Sequence, residues 1–232
     1  MVASTLISDP FPLPVEWIAA RRASEVLLTV DDVDAMMQAG IVPEDATTEL
    51  LHGALLYTDR ATAIHGAGAR LHAERFDPKG GGIVEGPDHN YVVSGFAELA
   101  PRINSPHRHL RTQSTIICSE IHAPIPDAVI LHGPRTDYRG RRPTAADAIV
   151  VIEVADSSYE RDSGEKLFGY ARAGIPQYII INLRNRTAEE YTRPNPSAGT
   201  YAAPRIIPPD GTLEIRLGND ESFPIALAEL WP

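Results

Sequence analysis

The chain has 232 residues, 43% of them hydrophobic, which is enough for one sizeable core and demands no second one. Its 21 basic against 31 acidic side chains give a formal charge of -10, the opposite of the footprint of a strong general nucleic-acid binder, so any such role rests on a local patch. A single cysteine, Cys118, excludes an internal disulfide framework and fits a reducing compartment. No apolar run approaches the roughly 20 residues that span a bilayer, and no basic-then-apolar leader opens the chain, so the expected location is cytoplasmic.

Residues 1–27, with Pro10, Pro12 and Pro14 and no sustained period, read as an N-terminal extension that wraps the surface or reaches a partner subunit. Thr29 and Asp32 have capping-box spacing and open a short amphipathic helix, with Val33, Met36 and Met37 on one side and Gly40 as its stop. Residues 49–57 read as one strand with a bulge or bend at Gly53. Residues 57–88 read as a long irregular insertion around Gly80, Gly81 and Gly82, whose histidines His65 and His72 lack the tight spacing of a zinc set. From His89 onward, Val92, Val93, Phe96, Leu99 and Ile103 recur at helical spacing, which predicts an amphipathic helix led by that histidine. His107 and His109 flank a turn at Pro106, and residues 110–118 read as a strand. Residues 125–131 form a short apolar strand whose only charge, Asp127, stands at its start. The following loop carries Arg135, Arg139, Arg141 and Arg142, the one basic cluster in an acidic chain, suited to phosphate contact or to plain solvation.

The rest of the chain is organised around residues 148–178. Six apolar residues in the first seven are too short and too β-branched for a helix, and read as a buried strand that delivers Glu153 near its C-terminal end. Asp162 has the place of an N-cap with Glu165 as its capping-box partner, Lys166 lies in the first turn, and Gly174 before Pro176 is the stop. Residues 178–182 give a second strand, so the unit is βαβ. Its right-handed crossover starts the helix at the strand end bearing Glu153, and brings Glu153 and Lys166 to one edge. Strands at 187–192, 212–217 and 222–226 follow, the last two joined by a turn at Gly218, Asn219 and Asp220, and residues 227–232 dock as a terminal turn.

If the strand that starts at Asp127 pairs antiparallel with the strand that ends after Glu153, the two carboxylates become neighbours. Such a pair repels, and a hard divalent cation resolves the repulsion. Mg²⁺ takes one or two protein carboxylates, keeps several waters and completes its shell with phosphate oxygens. A nearby lysine then orients water or shares the charge that develops on phosphorus, which makes phosphodiester hydrolysis the suggested chemistry. Ser157 and Ser158 have no G-x-S-x-G elbow around them and read as loop polar groups or caps.

The segments IPDAVIL, VIEVADSS, DSGEK and YARAGIPQYIIIN, in that order, resemble the motifs of the Uma-two family of putative restriction endonucleases within the PD-(D/E)XK nuclease superfamily. Upstream, LTVDDVDAMMQAG, TTELLHG and GPDHNYVV resemble the family's first helix, its Glu-Leu motif and its histidine-led helix, so the likeness runs from about Leu27 to the C-terminus. The resemblance implies an α/β (α+β) restriction-endonuclease-like core, a central mixed β-sheet flanked by helices with extra antiparallel strands at the C-terminus. It also implies Asp127 and Glu153 as ligands of Mg²⁺ (or Mn²⁺), Lys166 as the catalytic lysine, and Glu49 as an upstream acid that completes the site or holds a metal-bound water. His89 matches the family histidine. The superfamily lysine would fall two residues after the glutamate, where this chain has Ala155; the lysine has migrated to the helix, at Lys166. The insertion around Gly80 exceeds the family's usual connection. The expected function is thus a Mg²⁺-dependent endodeoxyribonuclease, a homodimer acting on DNA, with His89 and the four loop arginines toward the substrate. Its rivals are a binding protein that keeps the fold without cleavage and a hydrolase of smaller phosphorylated molecules.

Overall fold

The computed structural model describes residues 27–42, 47–58, 86–218 and 221–232. The N-terminal extension up to residue 26 and residues 59–85 of the predicted insertion, His65 and His72 included, lie outside the described residues.

The predicted capping box is present. The hydroxyl of Thr29 accepts from the Asp32 amide, the Asp32 carboxylate accepts from the Thr29 amide at 2.9 Å, and α1 (Val30–Gln38) follows, with Gly40 at φ 68° just past its end. Residues 49–57 fold as a hairpin rather than one bent strand. β1 (Thr47–Leu51) pairs antiparallel with β2 (Ala54–Thr58) through a two-residue turn in which His52 and Gly53 both have positive φ, 48° and 80°. That is the turn whose twist suits a tight hairpin. α2 (Pro87–Ile103) begins with proline in its first turn, where a missing N–H costs nothing, and buries His89, Val92, Val93, Phe96 and Ile103 along one stripe.

The strand predicted over residues 110–118 is shorter and ends early. β3 (Arg108–Thr112) stops where Gln113 takes φ 47°, and the chain then runs irregularly to Asp127, Cys118 included. β4 (Ala128–His132), β5 (Ala148–Ala155), β6 (Gln177–Asn182), β7 (Thr187–Thr192) and β8 (Arg205–Ile207) complete a six-stranded mixed sheet in the order β3-β4-β5-β6-β7-β8. Only β5 and β6 run parallel. β5 is buried at every position, which explains its unbroken apolar reading, and each fully buried aliphatic contributes about 1.5–3 kcal/mol.

The crossover between β5 and β6 is helical over residues 159–172, labelled α3. An α turn (Tyr159–Arg161) passes into a π turn (Asp162–Lys166) and then an α segment (Leu167–Arg172). The helix thus starts three residues before Asp162, which is no N-cap. Its carboxylate points back to the hydroxyl of Ser158, and the capping-box pairing with Glu165 does not form.

The sheet separates two apolar layers. On one side Ile130, Val150, Ile152 and Ile179 meet Val92 and Phe96 of α2, together with Leu213 and Ile215 of β9 (Thr212–Gly218), Ile225 of β10 (Glu221–Ala226) and the C-terminal Leu230 and Trp231. On the other, Val129, Val151, Tyr178 and Ile180 meet Tyr170 of α3. β9 and β10 form the predicted antiparallel hairpin. The β1–β2 hairpin stands outside the main sheet, tied to the irregular segment between β3 and β4 by paired backbone hydrogen bonds between Leu50 and Ala123 of 3.2 and 2.6 Å.

Candidate metal and catalytic site

β4 and β5 pair antiparallel with Ala128 opposite Ile152, and the next step along that register sets Asp127 beside Glu153. The neighbourhood expected from the strand pattern is therefore formed. Asp127 is fixed from two sides, because its Oδ2 accepts from the Val154 amide at 2.8 Å and lies 3.2 Å from Nε2 of His89 in the first turn of α2. The histidine-led helix thus orients one acid of the pair.

Glu153 points to the α3 side. Its Oε1 accepts from Lys166 Nζ at 3.0 Å and from the Tyr170 hydroxyl at 2.7 Å. Tyr170 is one turn beyond Lys166, so one helix stripe supplies both donors. Glu49, at the middle of β1, reaches the same place. Its Oε1 accepts from the Ile125 amide at 2.8 Å and lies 2.9 Å from Lys166 Nζ. The tie between Leu50 and Ala123 is what brings the outlying hairpin to this point.

The structure adds a fourth acid, Asp162, 2% exposed, whose Oδ1 lies 3.9 Å from Lys166 Nζ. Its Oδ2 accepts from Ser158 at 2.5 Å, and its main-chain carbonyl accepts from the Tyr178 hydroxyl at 2.8 Å. Asp162 and Lys166 are four apart within the π turn, a departure from α geometry that is frequent at functional sites. Cap spacing is a sequence signal that competes directly with this inward role, and the cap reading concealed it. Tyr170 carried no charge to mark it.

Gly169 lets α3 settle this deeply. A Cβ there would stand 2.1 Å from Nε2 of His122, whose ring stacks on His52 of the β1–β2 turn at 4.2 Å between centroids.

Three carboxylates now surround one ammonium with Asp127 beside them, and the hydrogen bonds run through Oδ2 of Asp127, Oε1 of Glu153 and Glu49, and Oδ2 of Asp162. The Asp162 Oδ1 is buried with no hydrogen-bond partner. Burial drives the Glu153 pKa well above the ordinary range, Lys166 opposes this, and the charges of Asp162, Asp127 and Glu49 add to it. Asp162 is raised chiefly by burial as well. Burial also acts on Glu49, yet Lys166, Arg161 and the Ile125 amide outweigh it and hold that carboxyl below its usual value. Burial disfavours the charged form of Lys166, but Glu153, Glu49 and Asp162 together hold its pKa above the ordinary lysine range, so it is an ammonium at neutral pH. The site gathers buried carboxyl groups beside Lys166 and Arg161, hard oxygen donors of the type that Mg²⁺ and Mn²⁺ take. Among the described residues no three His, Cys, Asp or Glu side chains are arranged to hold a metal ion. The set suits an ion held by one or two carboxylates rather than a closed cage.

The arginines are not brought to this place. The loop with Arg135, Arg139, Arg141 and Arg142 joins the end of β4 to the start of β5, and so lies at the opposite end of the β4–β5 pair. Arg141 makes a two-pronged pair with Asp147 at 2.7 and 2.9 Å and stacks on Tyr138, while Arg142 pairs with Asp34 of α1.

Among solved structures, the chain is similar to a crystal structure from Anabaena variabilis described as a putative nuclease belonging to DUF820. The TM-score is 0.57 at 12% identity, over 88% of this chain and 97% of that one, a likeness of fold alone. No curated protein matches. A family model described as "Putative restriction endonuclease" matches residues 73–225, which takes in Asp127, Glu153 and Lys166 and begins downstream of Glu49. With the matched span covering well over half of the sequence, and with its nuclease-like mixed sheet, the chain belongs to the Uma2 family of restriction-endonuclease-like proteins.

Proposed function

We propose that the protein is a divalent-metal-dependent endonuclease that hydrolyses phosphodiester bonds in DNA. One observation carries the reading: Glu49, Glu153 and Asp162 lie 2.9, 3.0 and 3.9 Å from one buried lysine, Asp127 stands beside Glu153, and Oδ1 of Asp162 is buried there without a hydrogen bond. That is an arrangement suited to holding a cation, with more carboxyl groups than a structural ion pair needs. Asp127 and Glu153 would hold the ion, Mg²⁺ or Mn²⁺, with Glu49 at its margin. Bound there, the ion supplies Lewis-acid stabilisation of charge on phosphorus and lowers the pKa of water.

The chain's own groups divide the remaining work. His89 and the Val154 amide fix the orientation of Asp127. Tyr170, whose own pKa is pushed well above the ordinary range by burial and by the Glu153 charge, stays a hydroxyl donor and fixes Glu153. Lys166 is an ammonium, so it serves as a hydrogen-bond donor and positive charge toward the attacking water or the phosphoryl oxygens rather than as the base. The exposed arginines, on the loop beyond the far end of β4, suit backbone phosphates of a polymer rather than the reacting one. Supercoiled plasmid, a single-stranded oligonucleotide and a small phosphodiester ester, each with Mg²⁺, with Mn²⁺ and with chelator, test the reading. Metal-dependent nicking of plasmid that is lost in Asp127→Ala is expected. Turnover of the small ester with no cleavage of either polymer would replace DNA by a smaller substrate.

A further inference from the structure

Lys166 occupies the middle of the acid cluster, with Nζ 3.0 Å from Glu153 Oε1 and 2.9 Å from Glu49 Oε1. One positive charge between two acids is what a cation at the same acids would replace. The two cannot share Glu153 and Glu49 without strong mutual repulsion at these separations. The ammonium therefore needs a second berth, and the structure contains one. Asp162 Oδ1 lies 3.9 Å from Nζ, is buried, and has no hydrogen bond, while Oδ2 of the same carboxylate is held by Ser158. An unsatisfied buried carboxylate oxygen is costly, and a shift of about 1 Å by the end of a flexible four-carbon stem would satisfy it.

Resting on the reading of Asp127 and Glu153 as the ion-holding pair, we infer that Lys166 stands in for the cation in the ion-free site and crosses to Asp162 when the cation enters. Asp162 is then a positioning residue. It never touches the ion, and acts by receiving the lysine. In both states the ammonium is paired, so the buried charge is never left alone and the loaded site presents Lys166 from the π turn at one defined point. The exchange ties ion affinity to a residue pair that the ion does not contact.

Mn²⁺ titration by calorimetry on the full chain tests this with wild type, Asp162→Asn, Lys166→Met and the double variant. Lys166→Met removes the competitor and is expected to bind Mn²⁺ about tenfold tighter than wild type, and Asp162→Asn about tenfold weaker, within the usual range of such couplings. In the Lys166→Met background the Asp162→Asn effect is expected to vanish. An equal loss in both backgrounds would make Asp162 a direct ligand and overturn the exchange, as would no loss in either. If Lys166→Met does not fold, a crystal structure of the wild type with Mn²⁺ decides: Nζ within about 3.2 Å of Asp162 Oδ1 is expected, and Nζ still on Glu153 with the ion bound overturns it. Mn²⁺ binding that is absent from wild type, or that persists unchanged in Asp127→Ala and Glu153→Ala, would instead overturn the underlying metal reading, a failure visible before any lysine movement is measured.

Discussion

The two ends of the β4–β5 pair carry the same kinds of charged group in opposite circumstances. At one end Lys166 and Glu153, 3% and 2% exposed, sit among further acids, and burial drives the carboxylate pKa up. At the other, Arg141 meets Asp147 in good two-pronged geometry, but the arginine side chain is 47% exposed and water does most of the solvating. Burial makes the first cluster expensive in the folded protein. The second cluster costs little and contributes little.

Breaking the buried end should have the larger effect. Lys166→Met leaves Glu49, Glu153 and Asp162 without their ammonium, and a loss of about 3–5 kcal/mol at neutral pH is expected from denaturant unfolding, shrinking at acid pH as the carboxylates take up protons. Gly169→Ala forces a methyl into the His122 ring and should cost about 1–3 kcal/mol without touching a charge, which sharpens the comparison by separating helix seating from electrostatics.

The acids themselves should respond in opposite senses to pH. Glu153 has a folded pKa above its ordinary 4.5, so its favourable contribution is present below the unfolded value and is lost as pH rises through the folded one. Glu153→Gln keeps an acceptor for Lys166 and Tyr170, and should raise metal-free stability by about 1 kcal/mol at neutral pH, with the gain fading on acidification. Glu49 has a lowered folded pKa, so its contribution is present above the unfolded value and lost as pH falls through the folded one. Glu49→Gln should therefore destabilise at neutral pH and become neutral in acid. Melting curves of the two variants across pH check the signs. The smallest effect is expected for Arg141→Ala, a change near the resolution of a melting experiment that disappears in high salt.

How much of this was legible in the sequence follows from what each residue had to do. β5 announced itself because a strand buried on both faces must be apolar throughout, and its one acid then stood out. The crossover that adds Lys166 follows from the handedness of βαβ units, whereas the antiparallel pairing that joins Asp127 to Glu153 is only one option in the sequence and is supplied by the structure. Asp162 was misread because an acid three residues before a glutamate looks like a cap, and only the helix's earlier start and its π turn reveal otherwise. Glu49 reaches the cluster through a bridge between Leu50 and Ala123 with no local signature. The end of β3 at Gln113 is likewise a conformational choice that residue type did not announce. The arginine run was legible as a charge cluster, but not its place, which depends on which end of the β4–β5 pair the loop closes.

Single-turnover cleavage of plasmid DNA with Mg²⁺ tests most directly whether the chemistry belongs to the buried end. It would compare wild type, Glu153→Gln and a variant with Arg135, Arg139, Arg141 and Arg142 all changed to alanine, each first shown to be folded by its melting curve. The expected result is a rate loss on the order of 10³-fold for Glu153→Gln, as for removal of a principal transition-state charge stabiliser, while the arginine variant changes only substrate affinity and its salt dependence. Cleavage by Glu153→Gln at the wild-type rate would contradict it.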